Sequence, residues 1–358
     1  MGFLRGRAAP GEDLAALRAA LAKARNPASV QNLRRRLQMG QLLVKEADWP
    51  AAERHYADLV PALTDTFGPR EPNTLAAWAN LAYCQTMRGR PAEAIPLLER
   101  TAELYEETWG ARQPATFQTQ LFLAEAYGVA AHYEDALAVV DAHVDYCTAE
   151  LGPAHRRTKT GRRRKVVPLR ALARYAAAET LLSDEDSLAD TVEERDAVRA
   201  LRLVVQAESG NAASTVGPVR ELCAQRPSAT LRECLATVLL EAGQAAEAAE
   251  LLRDALDELP VRRRGALQLR SALAQAELES GNLVEAEHSA RTVLAAGAWP
   301  TGHPTVLGLR ATLARAAAQR GAQTGAAEEL RAVVAGLTAV LGDEHPRTVQ
   351  AAAWLAQC

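Results

Sequence analysis

The run of positive charge between residues 156 and 165 is the part of this sequence with the clearest chemistry. It contains Arg156, Arg157, Lys159, Arg162, Arg163, Arg164 and Lys165. Guanidinium and ammonium groups form strong charge-assisted hydrogen bonds with carboxylates and phosphates. Packing these cations together costs self-repulsion, which favours a binding role over a purely structural one. Acidic residues at 184–186 and 193–194 offer internal partners, so external anion binding and internal pairing both remain open.

Indications of catalysis or metal binding are weak. The sequence contains no GxGxxG, GxxxxGK[ST], HExxH or GxSxG motif. His143 and Cys147 are four residues apart and share a helix face, but two ligands do not make a metal site, and structural packing is favoured. Adjacent carboxylates such as Glu106 and Glu107 do not face one another on a helix. We therefore predict no catalytic, cofactor-binding or metal-binding residues, and expect no cofactor.

Composition narrows the class of protein. The 358 residues carry a formal net charge of −3, which argues against a general nucleic-acid or membrane-surface binder. No aromatic residue interrupts the basic run to stack on bases, so a nucleic-acid partner is disfavoured. Five scattered cysteines without CxxC spacing indicate reduced thiols. No apolar run is long enough for a signal peptide or a membrane span. The composition predicts a soluble cytoplasmic protein without a membrane partner.

The elements that position these residues recur at a fixed interval. Gly68, Gly110 and Gly152 are 42 residues apart, as are the His-Pro pairs that begin at His303 and His345. In the unit that begins at Thr74, apolar or small residues follow at helical spacing and Gly89 stands where a turn is needed, which predicts a helix, a tight turn and a second helix. A fixed period of this size is typical of a helical-repeat array. Further turn glycines follow at shorter intervals: Gly210, Gly243, Gly281 and Gly321.

The repeated residues resemble those of a known family. The resemblance rests on Thr74-Leu75, Asn80-Leu81-Ala82, Gly89, Ala94, and the linkers at 151–155 and 341–346. These residues are similar to tetratricopeptide repeats, specifically the 42-residue form found in kinesin light chains. The resemblance implies an all-α fold: a right-handed α-solenoid (superhelix) of about eight helical hairpins with capping helices at both ends. Small residues such as Ala82 and Ala124 are expected to let paired helices approach closely.

Changes in repeat regularity predict four segments. They are an N-terminal segment and capping helix at 1–27, a regular array at 28–155, an irregular basic and acidic repeat at 156–196, and a C-terminal array at 197–358 that ends in a half-repeat. Pro168 and the charge run predict a kinked or late-starting helix, and 183–190 is predicted to be a loop. The half-repeat either caps the array or docks with another chain, so the oligomeric state stays open.

The resemblance also implies where a partner binds. In such arrays the first helix of each hairpin lines the concave face, and the family's contact positions carry over one at a time onto this sequence. The predicted partner-binding residues are Arg34, Gln38, Gln41, Lys45, Asn80, Tyr83, Gln118, Glu125, Thr160, Arg163, Arg164 and Arg170. Arginine and lysine suit carboxylates, and the Asn80 amide suits a peptide backbone.

Two functions follow from this surface. The first is a non-catalytic protein- or peptide-binding scaffold, a regulatory or assembly factor whose basic concave groove holds an acidic or carboxylate-bearing partner. The alternative is an enzyme or small-molecule sensor with an anion-binding pocket built inside the solenoid, centred on Arg163 and Arg164. The lack of catalytic motifs favours the first.

Overall fold

The computed structural model describes residues 14–24, 26, 28–110, 114–257 and 264–358, and these residues contain helices and no β-strand. The predicted all-α helical-repeat solenoid is confirmed. The chain divides into two compact units, Met1–Ala130 and Ala131–Cys358. The finer division into four segments remains a prediction, and most of its 1–27 segment lies outside the described residues.

The first unit begins with a single helix and continues with helices of nearly equal length. They are α1 (Leu14–Ala22), α2 (Val30–Lys45), α3 (Trp49–Phe67), α4 (Pro72–Met87), α5 (Pro91–Trp109) and α6 (Pro114–Ala130). The α2/α3 and α4/α5 pairs form hairpins, and α1 packs on α2. The first helices α2, α4 and α6 also contact one another in sequence, whereas α3 and α5 make no comparable contact among the described residues. The first helices therefore form the inner layer of this unit.

The second unit contains the remaining helices. They are α7 (Tyr133–Leu151), α8 (Arg156–Ala171), α9 (Tyr175–Ser187), α10 (Val192–Gln206), α11 (Ala212–Gln225), α12 (Ala229–Glu241), α13 (Ala245–Asp257), α14 (Arg264–Glu279), α15 (Leu283–Ala296), α16 (Pro304–Gln319), α17 (Gln323–Leu341) and α18 (Pro346–Leu355). A π-helical turn, Ala207–Asn211, joins α10 to α11. Contacts run along α10, α12, α14, α16 and α18, which form the inner layer.

The cores consist mainly of aliphatic side chains. In the first unit the core includes Leu33, Leu59 and Leu63, with Tyr56 as a fully buried aromatic residue. The second unit has apolar clusters around Leu239 and Leu330. Alanine predominates at many buried positions because paired helices approach closely there.

The turns that follow the four helices α2, α4, α6 and α8 show the repeat in the backbone. Ala47, Gly89, Ala131 and Ala173 all have positive φ, at 59°, 74°, 63° and 53°, and each follows the last by 42 residues (89 − 47, 131 − 89, 173 − 131). The residue at this position closes the turn in the left-handed region, which glycine adopts without steric cost and alanine does not. The narrower resemblance to kinesin light chains remains a prediction.

This turn yields a stability prediction. We expect Ala47→Gly to raise the free energy of unfolding by about 0.5–1 kcal/mol, because relief of the left-handed alanine exceeds the added entropy of the unfolded chain. Gly89→Ala makes the opposite change at the equivalent turn and is expected to lower stability by a similar amount. Urea denaturation measures the free energy of unfolding of both variants. A change in the same direction for both would contradict the prediction.

The structure contradicts the late start predicted for the helix after His155 and the loop predicted at 183–187, whereas residues 188–190 are non-helical and a kink at Pro168 stays a prediction. The helix α8 begins at Arg156, in phase with the repeat, because the His155 ring caps it: the Arg157 N–H donates to His155 Nδ1 at 3.2 Å. Pro168 lies inside α8 without ending it. The acidic stretch predicted as a loop continues α9 through Ser187. Helical structure is retained here because the cations of α8 and the carboxylates of α9 and α10 neutralise one another. This pairing joins residues far apart in the sequence, so the local sequence pattern does not indicate it.

Candidate functional site

The inner layer of the first unit carries the predicted contact residues of α2 on its surface. Arg34, Gln41 and Lys45 are exposed, and Gln38 is partly buried. None of these four side chains makes a hydrogen bond or an ion pair within the described residues. A charged or amide group that has no internal partner retains its full hydrogen-bonding capacity for a ligand. The α2 face therefore offers two cations and two amides.

The α4 contribution differs from the sequence prediction in one respect. The Asn80 Nδ2–H donates to the Ala76 carbonyl oxygen at 2.7 Å, so one amide hydrogen is used by its own helix. The Asn80 amide remains partly buried, and its Oδ1 accepts no hydrogen bond from the described residues. Its capacity for a peptide backbone is therefore mainly as an acceptor.

An aromatic ladder crosses the same layer. The Tyr83 ring of α4 stacks on the Phe122 ring of α6, with centroids 4.2 Å apart and planes at 14°. Trp49, the first residue of α3, meets Tyr83 edge-on at 5.8 Å. Both Tyr83 and Phe122 are partly exposed, so the stack presents an apolar, polarisable surface between the helices. Sequence reasoning placed Tyr83 at a contact position but did not identify Trp49, which begins a second helix.

The remaining predicted residues of the first unit lie on α6. Gln118 is exposed and makes no side-chain hydrogen bond within the described residues, whereas Glu125 is partly buried and has an interaction partner. Together with the α2 and α4 residues they form one continuous surface on the first-helix layer. We call this surface the α2–α4–α6 face: Arg34, Gln38, Gln41, Lys45, Trp49, Asn80, Tyr83, Gln118, Phe122 and Glu125.

Several cations of α8 in the second unit are bound internally. Arg163 donates through Nε to Glu185 Oε2 at 3.2 Å and also pairs with Glu194. The buried Lys159 ammonium donates to Asp190 at 2.5 Å and Glu194 at 3.3 Å. This internal pairing is one of the two possibilities that the sequence left open.

Neighbouring positions on α8 follow the same pattern. Lys165 pairs with Asp141 at 2.6 Å, and the Thr160 hydroxyl donates to the Arg156 carbonyl oxygen. Arg164 is exposed and has its own interaction partner. The anion pocket that the alternative function requires gains no support from this helix, because its central arginine is already bound by carboxylates of the same unit.

Arg170, the last predicted residue, lies in an unexpectedly acidic environment. Its Nε and Nη2 donate to both oxygens of Glu208, at 2.8 and 2.6 Å. Burial lowers the pKa of Arg170, but the Glu208 hydrogen bonds and charge outweigh it, and the pKa is raised overall. Glu233 and Glu241 of α12 are also close enough to be coupled electrostatically to Arg170.

These carboxylates form an inner cluster that sequence reasoning missed: Glu208, Glu233, Glu241 and Glu279. Desolvation raises the pKa of Glu233, Glu241 and Glu279, and for Glu241 the charges of Glu208 and Glu279 raise it further. Arg347 of α18 partly offsets this for Glu241. The register of the repeat changes after residue 197, so no fixed period could place these residues on one face.

The other candidate sites are structural. His143 Nε2 lies 3.7 Å from Cys147 Sγ in the core, and both side chains are buried. No group of three or more His, Cys, Asp or Glu side chains suited to a metal ion occurs in the described part of the chain. His155, His303 and His345, which share one linker position in the repeat, each cap a helix by accepting an N–H bond at Nδ1. No described helix is both long and apolar enough to cross a bilayer.

Comparisons with known proteins agree with this architecture. Residues 30–107 match the tetratricopeptide repeat family model. Among solved structures, the apo quorum sensor NprR from B. thuringiensis is 13% identical, with 90% of this chain and 91% of that chain covered and a TM-score of 0.56. A Rap protein complexed with competence and sporulation factor is 10% identical over 91% and 99% of the chains, with a TM-score of 0.53.

A tetratricopeptide repeat protein from Parabacteroides merdae is also similar, at 16% identity over 75% of this chain and 94% of that one, with a TM-score of 0.51. At these identities the likeness is one of fold. No curated protein matches the chain in sequence.

Proposed function

We propose that the first unit is a non-catalytic binding surface for an extended peptide or protein segment that carries carboxylates. The observation that supports the proposal is the set of uncommitted polar groups on the α2–α4–α6 face. Arg34 and Lys45 have no partner among the residues that the structure describes, while Arg163 and Arg170 of the second unit are already paired. A cation that has no carboxylate partner within the protein gains the most interaction free energy when a ligand supplies a carboxylate.

The rest of the face suits an extended chain. The side-chain amides of three glutamines, Gln38, Gln41 and Gln118, provide donors and acceptors for a peptide backbone. The side-chain oxygen Oδ1 of Asn80 provides a further acceptor. The Tyr83–Phe122 stack gives an apolar side chain of the partner a rigid surface to pack against. A partner that combines carboxylates with an apolar residue would contact both the cations and the aromatic stack. Among the described residues, this surface contains no group of side chains arranged for catalysis.

A binding experiment tests the proposal directly. An array of random twelve-residue peptides, probed with the purified chain, is expected to select sequences enriched in Asp and Glu. The double variant Arg34→Glu/Lys45→Glu is expected to raise the dissociation constant of the selected peptides by about 10–100-fold, because two charge-assisted contacts become repulsive. Binding is also expected to weaken as ionic strength rises.

A matched double variant controls for net charge. Arg54→Glu/Arg100→Glu makes the same charge change on α3 and α5, the second helices of the same unit. It is expected to bind the selected peptides within about twofold of the wild type, because exposed distant charges are screened. Equal loss of binding in both double variants, or selection of peptides without acidic residues, would refute the proposal.

A further inference from the structure

Two helix-capping histidines of the second unit reach elements that precede them by about 170 residues. His303 Nε2 lies 3.4 Å from the Tyr133 hydroxyl of α7, and His345 Nε2 lies 3.0 Å from the Ala171 carbonyl oxygen at the end of α8. Both imidazoles are buried, whereas His155, at the same linker position, is exposed. The last repeats of this unit therefore contact its first helices.

The contact is small and is made by side chains. Trp299 stacks on His303 with centroids 5.9 Å apart, and the Tyr133 ring meets His303 edge-on at 6.4 Å. Besides these rings, the hydrogen bonds of the two histidines join the last repeats to the first helices of the unit. Contacts of this kind are individually weak in water, so a closure built from a few of them can open without unfolding the helices.

The geometry fixes the protonation state of each histidine. The Thr305 N–H donates to His303 Nδ1 at 3.1 Å, and the Arg347 N–H donates to His345 Nδ1 at 3.2 Å. Nδ1 must therefore be unprotonated, and Nε2 carries the hydrogen that it donates to Tyr133 or to Ala171. Only a neutral imidazole both caps its helix and makes the long-range contact.

We infer that His303 and His345 form a latch that holds the second unit closed while both imidazoles are neutral and releases it when a proton from solvent binds Nδ1. Arg347, next to the latch, is coupled electrostatically to Tyr175 and to Glu241 of the inner carboxylate cluster, so the latch lies close to that cluster. Opening the latch would admit solvent and ligands to that cluster. The latch thus controls access to a surface distinct from the α2–α4–α6 face and does not rest on the function proposed for that face.

The groups facing the latch are consistent with neutral histidines. His345 faces the Ala171 carbonyl oxygen and Arg347, and burial and the Arg347 charge lower its pKa more than the Ala171 bond raises it. Arg347 is also coupled to Tyr133, the partner of His303. A histidine whose folded-state pKa is below its usual value of 6.5 favours the closed state above about pH 6.5 and loses that contribution as the pH falls further.

Hydrogen exchange measured by mass spectrometry tests the latch. The double variant His303→Asn/His345→Asn keeps an acceptor for each helix cap but removes the Nε2 donors. We expect amide exchange to rise about tenfold in the segments around residues 131–135, 172–176 and 346–352, with no change in α12 and α13. His155→Asn makes the same change at a cap without a long-range contact and is expected to leave these rates unaltered.

A second measurement uses the unmodified chain. On lowering the pH from 7.5 to 5.5, exchange in the same three segments, corrected for the intrinsic rate, is expected to rise relative to α12 and α13. The proposal would be overturned if neither the double variant nor the lower pH raised amide exchange in these segments. Increased exchange throughout α12 and α13 would also overturn it, because it would indicate general loosening instead of a latch.

Discussion

Glu194→Ala is expected to lower the free energy of unfolding of the second unit by about 2–3 kcal/mol. The Glu194 carboxylate pairs with Arg163 and accepts from Lys159 Nζ at 3.3 Å and the Asp190 N–H at 2.8 Å. The Lys159 side chain is largely buried, so loss of Glu194 removes one of the two carboxylates that compensate its charge. Breaking one partner of such a buried network is strongly destabilising, although the surviving Asp190 and Glu185 contacts moderate the loss.

The same residue predicts a dependence on pH. The Arg163 hydrogen bond is the main cause that lowers the pKa of Glu194 from its usual 4.5 to about 2. A carboxylate with a lowered folded-state pKa contributes its full stability above about pH 4.5 and loses it as the pH falls toward 2. The difference in stability between the wild type and Glu194→Ala is therefore expected to shrink across that range. Glu185 cannot supply this loss, because burial raises its pKa.

Urea denaturation followed by far-UV circular dichroism, together with hydrogen-exchange protection of α8 to α10, measures the effect. Glu193→Ala is the matched control. Glu193 is the preceding residue, is largely exposed and pairs with Arg226 at 2.8 Å, and its removal is expected to leave the denaturation midpoint unchanged. Equal effects of the two substitutions would show that the Lys159–Glu194–Arg163 network adds nothing beyond surface pairing.

Gly40→Ala is expected to destabilise the first unit by about 2–3 kcal/mol. A Cβ atom at Gly40 would lie 2.6 Å from Tyr56 Cζ and 2.8 Å from its hydroxyl oxygen. Tyr56 is completely buried between α2 and α3, so its ring cannot move aside without displacing other core residues. The cost of overpacking exceeds the gain in helix propensity that alanine normally brings.

Gly128→Ala provides the matched control for this prediction. Gly128 also lies within a first helix of the first unit, but a Cβ there would meet nothing within 4 Å. The substitution is expected to raise stability by about 0.5–1 kcal/mol because glycine disfavours a helix. Thermal and urea denaturation of both variants measure the difference. A stabilising effect at Gly40 would mean that α2 and α3 do not pack as closely as the structure shows.

The repeat pattern predicted the positions of close helix packing but not the partners. Gly40 is 42 residues before Ala82, so the period indicates a small residue on the first helix of each hairpin. The opposing position holds Tyr56 in one hairpin and Leu98 in the next, both fully buried. A larger side chain on the second helix accompanies a smaller one on the first. Such compensation depends on two residues separated in sequence, which a local pattern does not report.

The sequence by itself determined the helical-repeat fold, the turn positions and the shared linker position of the three histidines. Each depends on local physics: helical spacing of apolar residues, a left-handed turn residue, and a side-chain acceptor at a helix start. These preferences act over a few residues and recur with the period, so a single chain displays them repeatedly.

Only the tertiary structure decided which charges are available to a partner. Arg34 and Arg163 are both predicted contact residues on first helices of the repeat, but Arg163 meets Glu185 and Glu194 from two following helices, while Arg34 meets no carboxylate among the described residues. Likewise, His155 and His345 share one linker position, yet only His345 lies against a distant helix end. Coulombic and hydrogen-bonding energies depend on distances between residues far apart in the chain, which the fold sets and the repeat period does not encode.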